Sequence, residues 1–471
     1  MAKNLLESYK NRLAVSESVH QKSHNGARMN TGKKLMIASV LNNTSRFINE
    51  AFENSAATQR SALGDYKRFC LNVSTVALPN LILPELMLTQ PMSSIAGYIT
   101  YLRYTAGVTK GGVERGDTFN SVYRLGTMNE DRVGYTADKI VETITTETAG
   151  DSFTAAWSPV LKAHIIKAGS TTPVELAVNN GAIVAEDKEG NAIEFAAGDK
   201  VAYIYDNVVI PQAGDGKNSI PTLTASMDVV ELHAHARRIA VYYSQIAAFQ
   251  AKTDYGTDIG EQLATQAQGE LAYEIDTEGV FMLYKGAEPD AALTFNSYDT
   301  EFAGATNINI SRSQYYEQFS EILARAKKII YARTQKFAPN YMVCGANILT
   351  ILPYLPGWTA AAASTINGPY FAGTVDGLKV FVSPSIGENE FFFGVNGSDL
   401  QTSAGVYAPY MAIVPTQLLG FADGTMSQGF STMYDMKLLS TYTGSIKDKT
   451  AKDSKDGTHS WLLVAGKLVT E

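Results

Sequence analysis

No segment limits the possible folds of this chain as tightly as LPNLILPELMLTQPM, residues 78–92. It is apolar enough to suggest a membrane span, yet it contains Pro79, Pro84 and Pro91. A helix across the hydrocarbon core needs roughly 20 mostly apolar residues, and each interior proline removes a backbone hydrogen bond that lipid cannot replace. The stretch therefore predicts a sharply bent, buried segment of a protein core. The side chains predicted to pack there are Leu81, Ile82, Leu83, Leu86, Met87 and Leu88.

Length and composition indicate several compact units with much protein-facing surface. At 471 residues the chain exceeds what one hydrophobic core usually organises, so roughly two to four units are expected. Charged residues make up 18% of the chain, which indicates that much of its surface contacts protein rather than water. Cys70 and Cys344 lie in apolar runs and are predicted to be buried free thiols. The opening MAKNLLESYKNRL has no unbroken apolar run such as a secretory signal needs, so a cytosolic origin is expected.

Charge is distributed unevenly along the chain. Residues 1–37 carry seven basic and two acidic side chains, a net charge of +5, and because the whole chain carries −8, the remainder carries −13. The basic residues of this arm are Lys3, Lys10, Arg12, Lys22, Arg28, Lys33 and Lys34. A basic arm either contacts nucleic acid or an acidic partner, or is simply solvated. The acidic remainder argues against tight duplex binding by the whole protein.

Residue patterns in the first half of the chain predict three regions. A broken helical period over residues 38–76 predicts arm helices, and SIAGYITYLRYTAGV then predicts a strand that runs into the glycine-rich loop TKGGVERGD. Residues 155–222 consist of short β-like runs with hairpin turns at Asn180-Gly181 and Glu189-Gly190, which predicts an inserted all-β module. Its predicted core is Ile165, Ile166, Val184, Phe195, Val201 and Tyr203.

Two long helices and a strand-rich C-terminal third are predicted to follow. Apolar residues recur every four positions over residues 259–279, which predicts a helical spine with an apolar stripe of about 25–30 Å. The stripe consists of Ile259, Leu263, Ala267, Leu271 and Ile275. Ser311 and Gln314 have the spacing of a capping box at the start of the second helix. Beyond Phe337, short apolar runs between turns predict strands.

The sequence predicts no catalytic, cofactor-binding or metal-binding residue, and therefore a protein that is not an enzyme and carries no cofactor. His233 and His235 have a spacing that a strand could present to a metal, but no third ligand lies near, and a half-exposed strand explains them better. The loop AGDGKNS places Asn218 after Lys217, where a phosphate-binding loop requires Ser or Thr. The carboxylates are scattered singly, so no acid/base pair stands out. A hydrolase or metal enzyme that uses the two histidines remains as a third class of function.

Several segments resemble the major capsid proteins of T-even-type contractile-tailed bacteriophages. That family has a PNL run before a QPM tripeptide and a strand that ends in arginine, then near its C-terminus an FAG strand pair, an AGxYYAPYV segment and a GFKTRYGI segment. The similar segments here are Pro79-Asn80-Leu81, Gln90-Pro91-Met92, residues 97–103, 371–384, 391–415 and 429–436. They follow the family's order along the chain.

The resemblance implies an α+β architecture, the Johnson fold of tailed-phage and herpesvirus capsid proteins. This fold has an N-terminal arm, a long extended E-loop, a peripheral domain built on a spine helix and a central axial domain. The domains expected here are the arm at 1–76, the start of the peripheral domain with the E-loop at 77–154, the inserted β-module at 155–222, the E-loop return with the spine helix and second long helix at 223–336, and the axial domain with the C-terminal strands at 337–471.

The same resemblance implies a virion shell protein that assembles with itself in the host bacterial cytoplasm. The expected partners are further copies in hexamers, with pentamers or a vertex homologue, then portal, scaffold or decoration proteins and packaged double-stranded DNA, bound non-specifically at the inner face. No membrane partner is expected. The alternative is an encapsulin-like shell that packages protein cargo.

Two surface sites are predicted for that assembly. The glycine-rich loop at residues 107–117 is expected to reach a neighbouring subunit, because its glycines give it freedom and its charges have both signs. Those charged residues are Lys110, Glu114, Arg115 and Asp117. The basic arm at residues 1–37 is expected to lie on the inner face, where it neutralises DNA phosphates.

Overall fold

The structure is a computed structural model of the chain. The structure describes residues 2–23, 28–53, 71, 75, 81–107, 139–145, 154, 160–170, 172–206, 222–254, 256, 259–303, 310–334, 336–361, 368–416, 419–444, 446, 452–454 and 456–470. The chain forms two compact units. The main unit consists of residues 1–101 and 229–471, and the second unit of residues 102–228.

Helices occur throughout the main unit. Their bounds are α1 Ala2–Ser8, α2 Lys10–Ser23, α3 Thr31–Glu53, α4 Leu83–Leu86, α5 Gln245–Asp254, α6 Ile259–Gly286, α7 Tyr298–Glu301, α8 Arg312–Glu317, α9 Phe319–Thr334 and α10 Ala346–Leu349, with a 3₁₀ turn at Leu352–Tyr354. The predicted spine is α6, and it runs seven residues beyond its predicted end at residue 279. Ala267, Leu271 and Ile275 of its apolar stripe are buried, as predicted. No helix among the described residues is long and apolar enough to cross a membrane.

The second long helix begins as its sequence predicts. The Ser311 side chain accepts a hydrogen bond from the Gln314 N–H, and the Gln314 side chain accepts one from the Ser311 N–H, so the capping box is confirmed. The helix is divided at Gln318 into α8 and α9. The predicted core face is buried throughout, and consists of Tyr315, Phe319, Ile322, Leu323, Ala326 and Ile330.

Two large sheets organise the main unit. Its strands are β1 Leu88–Thr89, β9 His235–Ser244, β10 Glu288–Asn296, β11 Tyr341–Cys344, β12 Thr359–Ala360, β13 Tyr370–Val375, β14 Leu378–Val382, β15 Glu390–Gly394, β16 Gly405–Pro415, β17 Leu419–Gly420, β18 Thr425–Leu438, β19 Thr441–Thr443, β20 Lys452–Asp453, β21 His459–Ser460 and β22 Leu463–Val469. The first sheet has the order β1-β16-β18-β17, with β9 also paired to β18, and the second has the order β10-β22-β15-β11-β14-β13-β12. A small sheet, β20-β19-β21, lies near the C-terminus.

The C-terminal third is strand-rich, as predicted from its short apolar runs. Cys344 ends β11 and is a buried free thiol, which confirms the prediction for this residue. Cys70 lies outside the described residues.

The second unit contains a five-stranded antiparallel sheet. Its strands are β3 Lys139–Thr145, β4 Val160–Ile166, β5 Pro173–Asn179, β6 Ala182–Asp187 and β7 Lys200–Asp206, in the order β3-β7-β4-β5-β6. The sheet therefore extends beyond the predicted bounds of 155–222, because β3 pairs with β7 along its whole length. The strands β2 Ala96–Ala106 and β8 Leu223–His233, along which the chain leaves and re-enters the main unit, pair with each other as a two-stranded ribbon.

Most of the predicted core of this sheet is confirmed. Ile165, Phe195, Val201 and Tyr203 are buried. Ile166 and Val184 are only half-buried. Each lies next to a buried isoleucine, Ile165 or Ile183, on a strand whose successive side chains point to opposite faces. The left-handed backbone of Asn180 (φ 51°) and Gly181 (φ 78°) confirms the predicted two-residue hairpin turn.

The proline-containing stretch is a buried bend, as predicted. Leu81, Ile82, Leu83, Leu86 and Met87 are buried, while Leu88 is half-buried. Pro84 falls in the first turn of the short helix α4, where its missing N–H costs no helical hydrogen bond. The chain then enters β1, which pairs in parallel with β16 of the first sheet. Pro79 lies outside the described residues.

A glycine of the spine helix makes close packing with this bend possible. A Cβ atom at Gly279 would overlap the side chain of Leu83, which is fully buried, whereas a Cβ atom at Gly269 of the same helix would meet nothing within 4 Å.

Gly269→Ala is therefore expected to raise the free energy of unfolding by about 1 kcal/mol, because alanine has a higher helix propensity than glycine. Gly279→Ala is expected to lower it by about 1–2 kcal/mol through overpacking. Chemical denaturation of both variants tests this, and stabilisation by Gly279→Ala would contradict the close approach.

Candidate assembly site

The structure describes only the first residue of the predicted intersubunit loop. Lys110, Glu114, Arg115 and Asp117 lie outside the described residues. Gly107 is described, and its N–H donates to the carbonyl oxygen of Thr222 at 2.8 Å, at the end of the β2–β8 ribbon. The contact predicted for this loop stays a prediction.

The predicted basic arm folds into helices α1 to α3. Its described basic side chains differ in exposure: Lys10, Lys22 and Arg28 are exposed, Arg12 and Lys34 are half-buried, and Lys33 is buried. Lys34 pairs with Glu17 of α2, with both carboxylate oxygens 2.9 Å from its Nζ. The side chain of Lys3 lies outside the described residues. The exposed members can reach a phosphate, whereas Lys33 in this position cannot.

Helix α3 attaches the arm to the first sheet. The Asn43 side chain donates to the carbonyl oxygens of Met92 (2.6 Å) and Tyr410 (3.1 Å). The backbone N–H of Ala412 donates to the Thr44 hydroxyl at 3.3 Å. An apolar row along the helix is buried, namely Met36, Ile37, Val40, Leu41 and Ile48. The arm therefore contributes to the core of the main unit, rather than lying loosely on it.

Lys33 places a positive charge inside that core. Its Nζ atom lies 3.8 Å from Glu85 Oε1, 3.4 Å from the carbonyl oxygen of Leu81 and 3.4 Å from the Nδ1 atom of His20. Burial lowers the pKa of Lys33, and the negative charges of Glu85 and Asp276 oppose that shift. Glu85 also pairs with Lys379 of β14, at 2.9 Å. One carboxylate therefore connects the arm, the bend and the second sheet.

Asp276 of the spine helix holds the same bend from the other side. Its Oδ1 atom accepts hydrogen bonds from the N–H groups of Ile82 and Leu83, each at 3.2 Å. Burial raises the pKa of Asp276 to about 7, while these hydrogen bonds and the charge of Lys33 act in the opposite direction. The two N–H groups lie at the start of α4, where a helix leaves donors unsatisfied. We call Lys33, Glu85 and Asp276 the buried charge cluster.

The buried charge cluster was not predicted from the sequence. Each member lies next to apolar residues, in KKLMIAS, LPELM and YEIDTEG, and that is the only local signal it leaves. The three segments are far apart in sequence, so their meeting depends on the fold. The cluster fixes the arm, the bend and the spine relative to one another within the main unit, and it offers no reacting group to solvent.

The other candidate chemistry is not assembled into a site. His233 and His235 end β8 and begin β9, both are exposed, and His233 Nε2 lies 3.9 Å from Glu231 Oε2. Within the described part of the chain, no group of three or more His, Cys, Asp or Glu side chains could hold a metal ion. Lys217 lies outside the described residues.

One end of the first sheet carries large apolar side chains in solvent. They are Tyr242 on β9, Ile246 and Phe249 on α5, Leu419 on β17 and Phe421 in the following turn. We call this set the α5 patch. Large apolar side chains exposed on a protein surface can mark a contact with another macromolecule.

A buried framework joins an arm to a helical spine and two sheets, and apolar and charged side chains lie outside it, an arrangement that suits a structural assembly protein. Residues 64–462 match the Gp23 major capsid protein family. The chain belongs to this family, and it is a structural shell protein of a tailed phage with the Johnson fold that the resemblance implied. The family's role is structural.

The sequence relatives are phage capsid proteins. The chain is 23% identical to the major capsid protein of Enterobacteria phage T4 over 416 residues, which cover 83% of this chain and 78% of that protein. It is also 23% identical over 413 residues to the major capsid protein of Escherichia phage AR1, with the same coverage, 83% and 78%. The encapsulin-like alternative gains no support from them.

Similar solved structures include two shells. The capsid of Myoviridae phage XM1 is 9% identical, with a TM-score of 0.34 over 55% of this chain and 81% of that chain. The SrpI encapsulin of Synechococcus elongatus is 13% identical, with a TM-score of 0.31 over 52% of this chain and 77% of that chain.

Proposed function

We propose that this protein forms the icosahedral head that encloses the double-stranded DNA of a tailed phage. Copies of the chain assemble in the host cytoplasm into hexamers, with pentamers or a homologue at the vertices. Portal, scaffold or decoration proteins are further partners. The observation that carries the proposal is the family match over residues 64–462.

The charge distribution supports a contact with packaged DNA at the inner face. The arm of residues 1–37 carries +5 and the remainder −13, so attraction to phosphates is confined to one segment. The phosphates are contacted by the exposed side chains of the arm, Lys10, Lys22 and Arg28. Lys33 is buried and has a structural role instead. The contact is independent of base sequence, because it is made by charge alone.

The glycine-rich loop is proposed as an intersubunit contact, and Arg115→Glu tests it. Because an exposed ion pair is worth about 1 kcal/mol or less, the melting temperature of the free subunit is expected to stay nearly unchanged. The same loss at every lattice contact adds up over the particle, so the yield of shells falls and assembly becomes more dependent on salt. Sedimentation separates shells from free subunits.

The control for Arg115→Glu is Lys336→Glu, the same change in sign at an exposed residue of the main unit. This control is expected to assemble like the wild type. If Arg115→Glu lowers the stability of the free subunit as much as it lowers assembly, the loop packs within its own chain, and the intersubunit contact is wrong.

A further inference from the structure

Helix α5 turns its large apolar side chains away from its own protein. The helix spans Gln245–Asp254, and none of its ten residues is buried. Ile246 is 70% exposed and Phe249 is 71% exposed, while the small side chains of Ala248 and Ala251 are half-buried. A surface helix normally has the opposite arrangement, with its large apolar residues facing the core.

A helix of this length needs a buried face to be stable. Isolated helices shorter than about 12–15 residues are marginal in water, and most helical stability in proteins comes from packing of an apolar face. Two half-buried alanines supply little such packing. Ile246 and Phe249 are the side chains that could supply more, because each would remove a large apolar area from water if a partner covered it.

The strands next to α5 also carry exposed apolar side chains. Leu419 lies opposite Ser427, and Ser427 lies opposite Tyr242, so Leu419 and Tyr242 share one face of three adjacent strands. Tyr242 is 64% exposed and Leu419 is 57% exposed. The N–H of Gln245 donates to the carbonyl oxygen of Gly424 at 3.0 Å, which ties the start of α5 to the turn that follows Phe421.

The charge of the α5 patch indicates which kind of partner it can bind. Residues 242–254 and 419–426 together contain three charged residues, Lys252, Asp254 and Asp423, with a net charge of −1. The carboxylate of Asp423 accepts a hydrogen bond from the N–H of Thr425 at 2.9 Å. A surface with so little charge does not suit DNA, whose binding depends on neutralising phosphates. It suits another apolar protein surface. For a member of a shell protein family, the protein present around every subunit is a second copy of the same chain.

We propose that the α5 patch packs against a second copy of this chain in the shell, and that α5 obtains its buried face from that copy. The inference rests on the proposed function and names a contact within it. The helix is thus completed by assembly: its backbone hydrogen bonds open readily in the free subunit and are protected in the shell.

The test uses the full chain with both outward-facing residues of α5 changed, Ile246→Asp and Phe249→Asp. The control is Val15→Asp with Tyr331→Asp, which adds the same charge at two exposed apolar positions on other helices. The unassembled subunit with both substitutions in α5 is expected to keep the wild-type melting temperature, because neither Ile246 nor Phe249 is buried in the subunit. Its yield of shells at a fixed protein concentration should fall by about tenfold or more, the factor that 1.4 kcal/mol of lost contact energy produces.

Hydrogen exchange of the wild type provides the second readout. Amides of residues 246–254 are expected to exchange rapidly in the free subunit and slowly in shells, while those of α9 are protected in both. Wild-type shell yield from the α5 variant, or equal protection of α5 in the free and assembled states, would overturn the contact and leave the proposed function intact. If the wild-type chain forms no shell, the proposed function fails and the contact fails with it.

Discussion

Replacing Lys33 by methionine is expected to lower the free energy of unfolding by about 3 kcal/mol or more, while Lys34→Met lowers it by about 1 kcal/mol or less. The two lysines are adjacent, and both pair with a carboxylate. Lys33 is buried, however, and its loss removes the cation near Asp276 and leaves Glu85 with Lys379 alone. Lys34 pairs with Glu17 where water still reaches both side chains.

Urea unfolding of the free subunit measures both changes. A double variant, Lys33→Met with Glu85→Gln, should recover only part of the loss, because it removes the carboxylate that paired with Lys33 but also breaks the pair between Glu85 and Lys379. Equal, small effects of Lys33→Met and Lys34→Met would show that the cluster contributes no more than a surface ion pair does. Changing both Lys33 and Lys34 to glutamate would therefore test the folding of the subunit rather than its contact with DNA. The DNA contact is tested by changing the exposed residues Lys10, Lys22 and Arg28.

Asp276→Asn is expected to remove a dependence of stability on pH. Burial raises the pKa of Asp276 from 3.8 to about 7 in the folded subunit. Between these two values the folded state holds a proton that the unfolded state has released, so this contribution to stability is complete below about pH 4 and is lost as pH rises through about 7. The difference between the two pKa values corresponds to about 4 kcal/mol. In the variant, the side-chain amide oxygen can still accept from the N–H groups of Ile82 and Leu83.

The measurement is the difference in unfolding free energy between wild type and Asp276→Asn, at several pH values from about 4 to 8, the range that the two pKa values define. The wild type is expected to lose stability relative to the variant as pH rises. Asp399→Asn, at an exposed position, is the control and should follow the wild type. A constant difference between wild type and Asp276→Asn across this range would mean that Asp276 does not titrate there.

Local patterns predicted the elements of this fold well. The four-residue apolar repeat located the spine helix, the Ser311–Gln314 spacing located the start of the second helix, and Asn180-Gly181 located a hairpin turn. Each of these three patterns depends on residues that are close in sequence. The interactions that they predict therefore form within one or two turns of the chain. The predicted bounds of the β-module were too narrow because strand pairing decides them. The module begins with β3, whose partner β7 lies more than fifty residues away in the sequence.

Long-range contacts account for what sequence reasoning missed. The sequence shows Lys33 only as one of the seven basic residues of the arm, and the fold is what brings it to Glu85 and Asp276. Ile166 and Val184 are as apolar as Ile165 and Ile183, so composition could not decide which of each pair faces the core of the sheet. The α5 patch was not predicted, because the sequence QIAAFQAKTD does not show which side of the helix faces solvent.

Cryo-electron microscopy of particles purified from cells that produce the full chain shows whether this protein builds a shell. We expect closed icosahedral shells built from many copies of this subunit, with double-stranded DNA inside when packaging occurs. Folded chains that remain single subunits or small oligomers under all conditions would contradict this expectation.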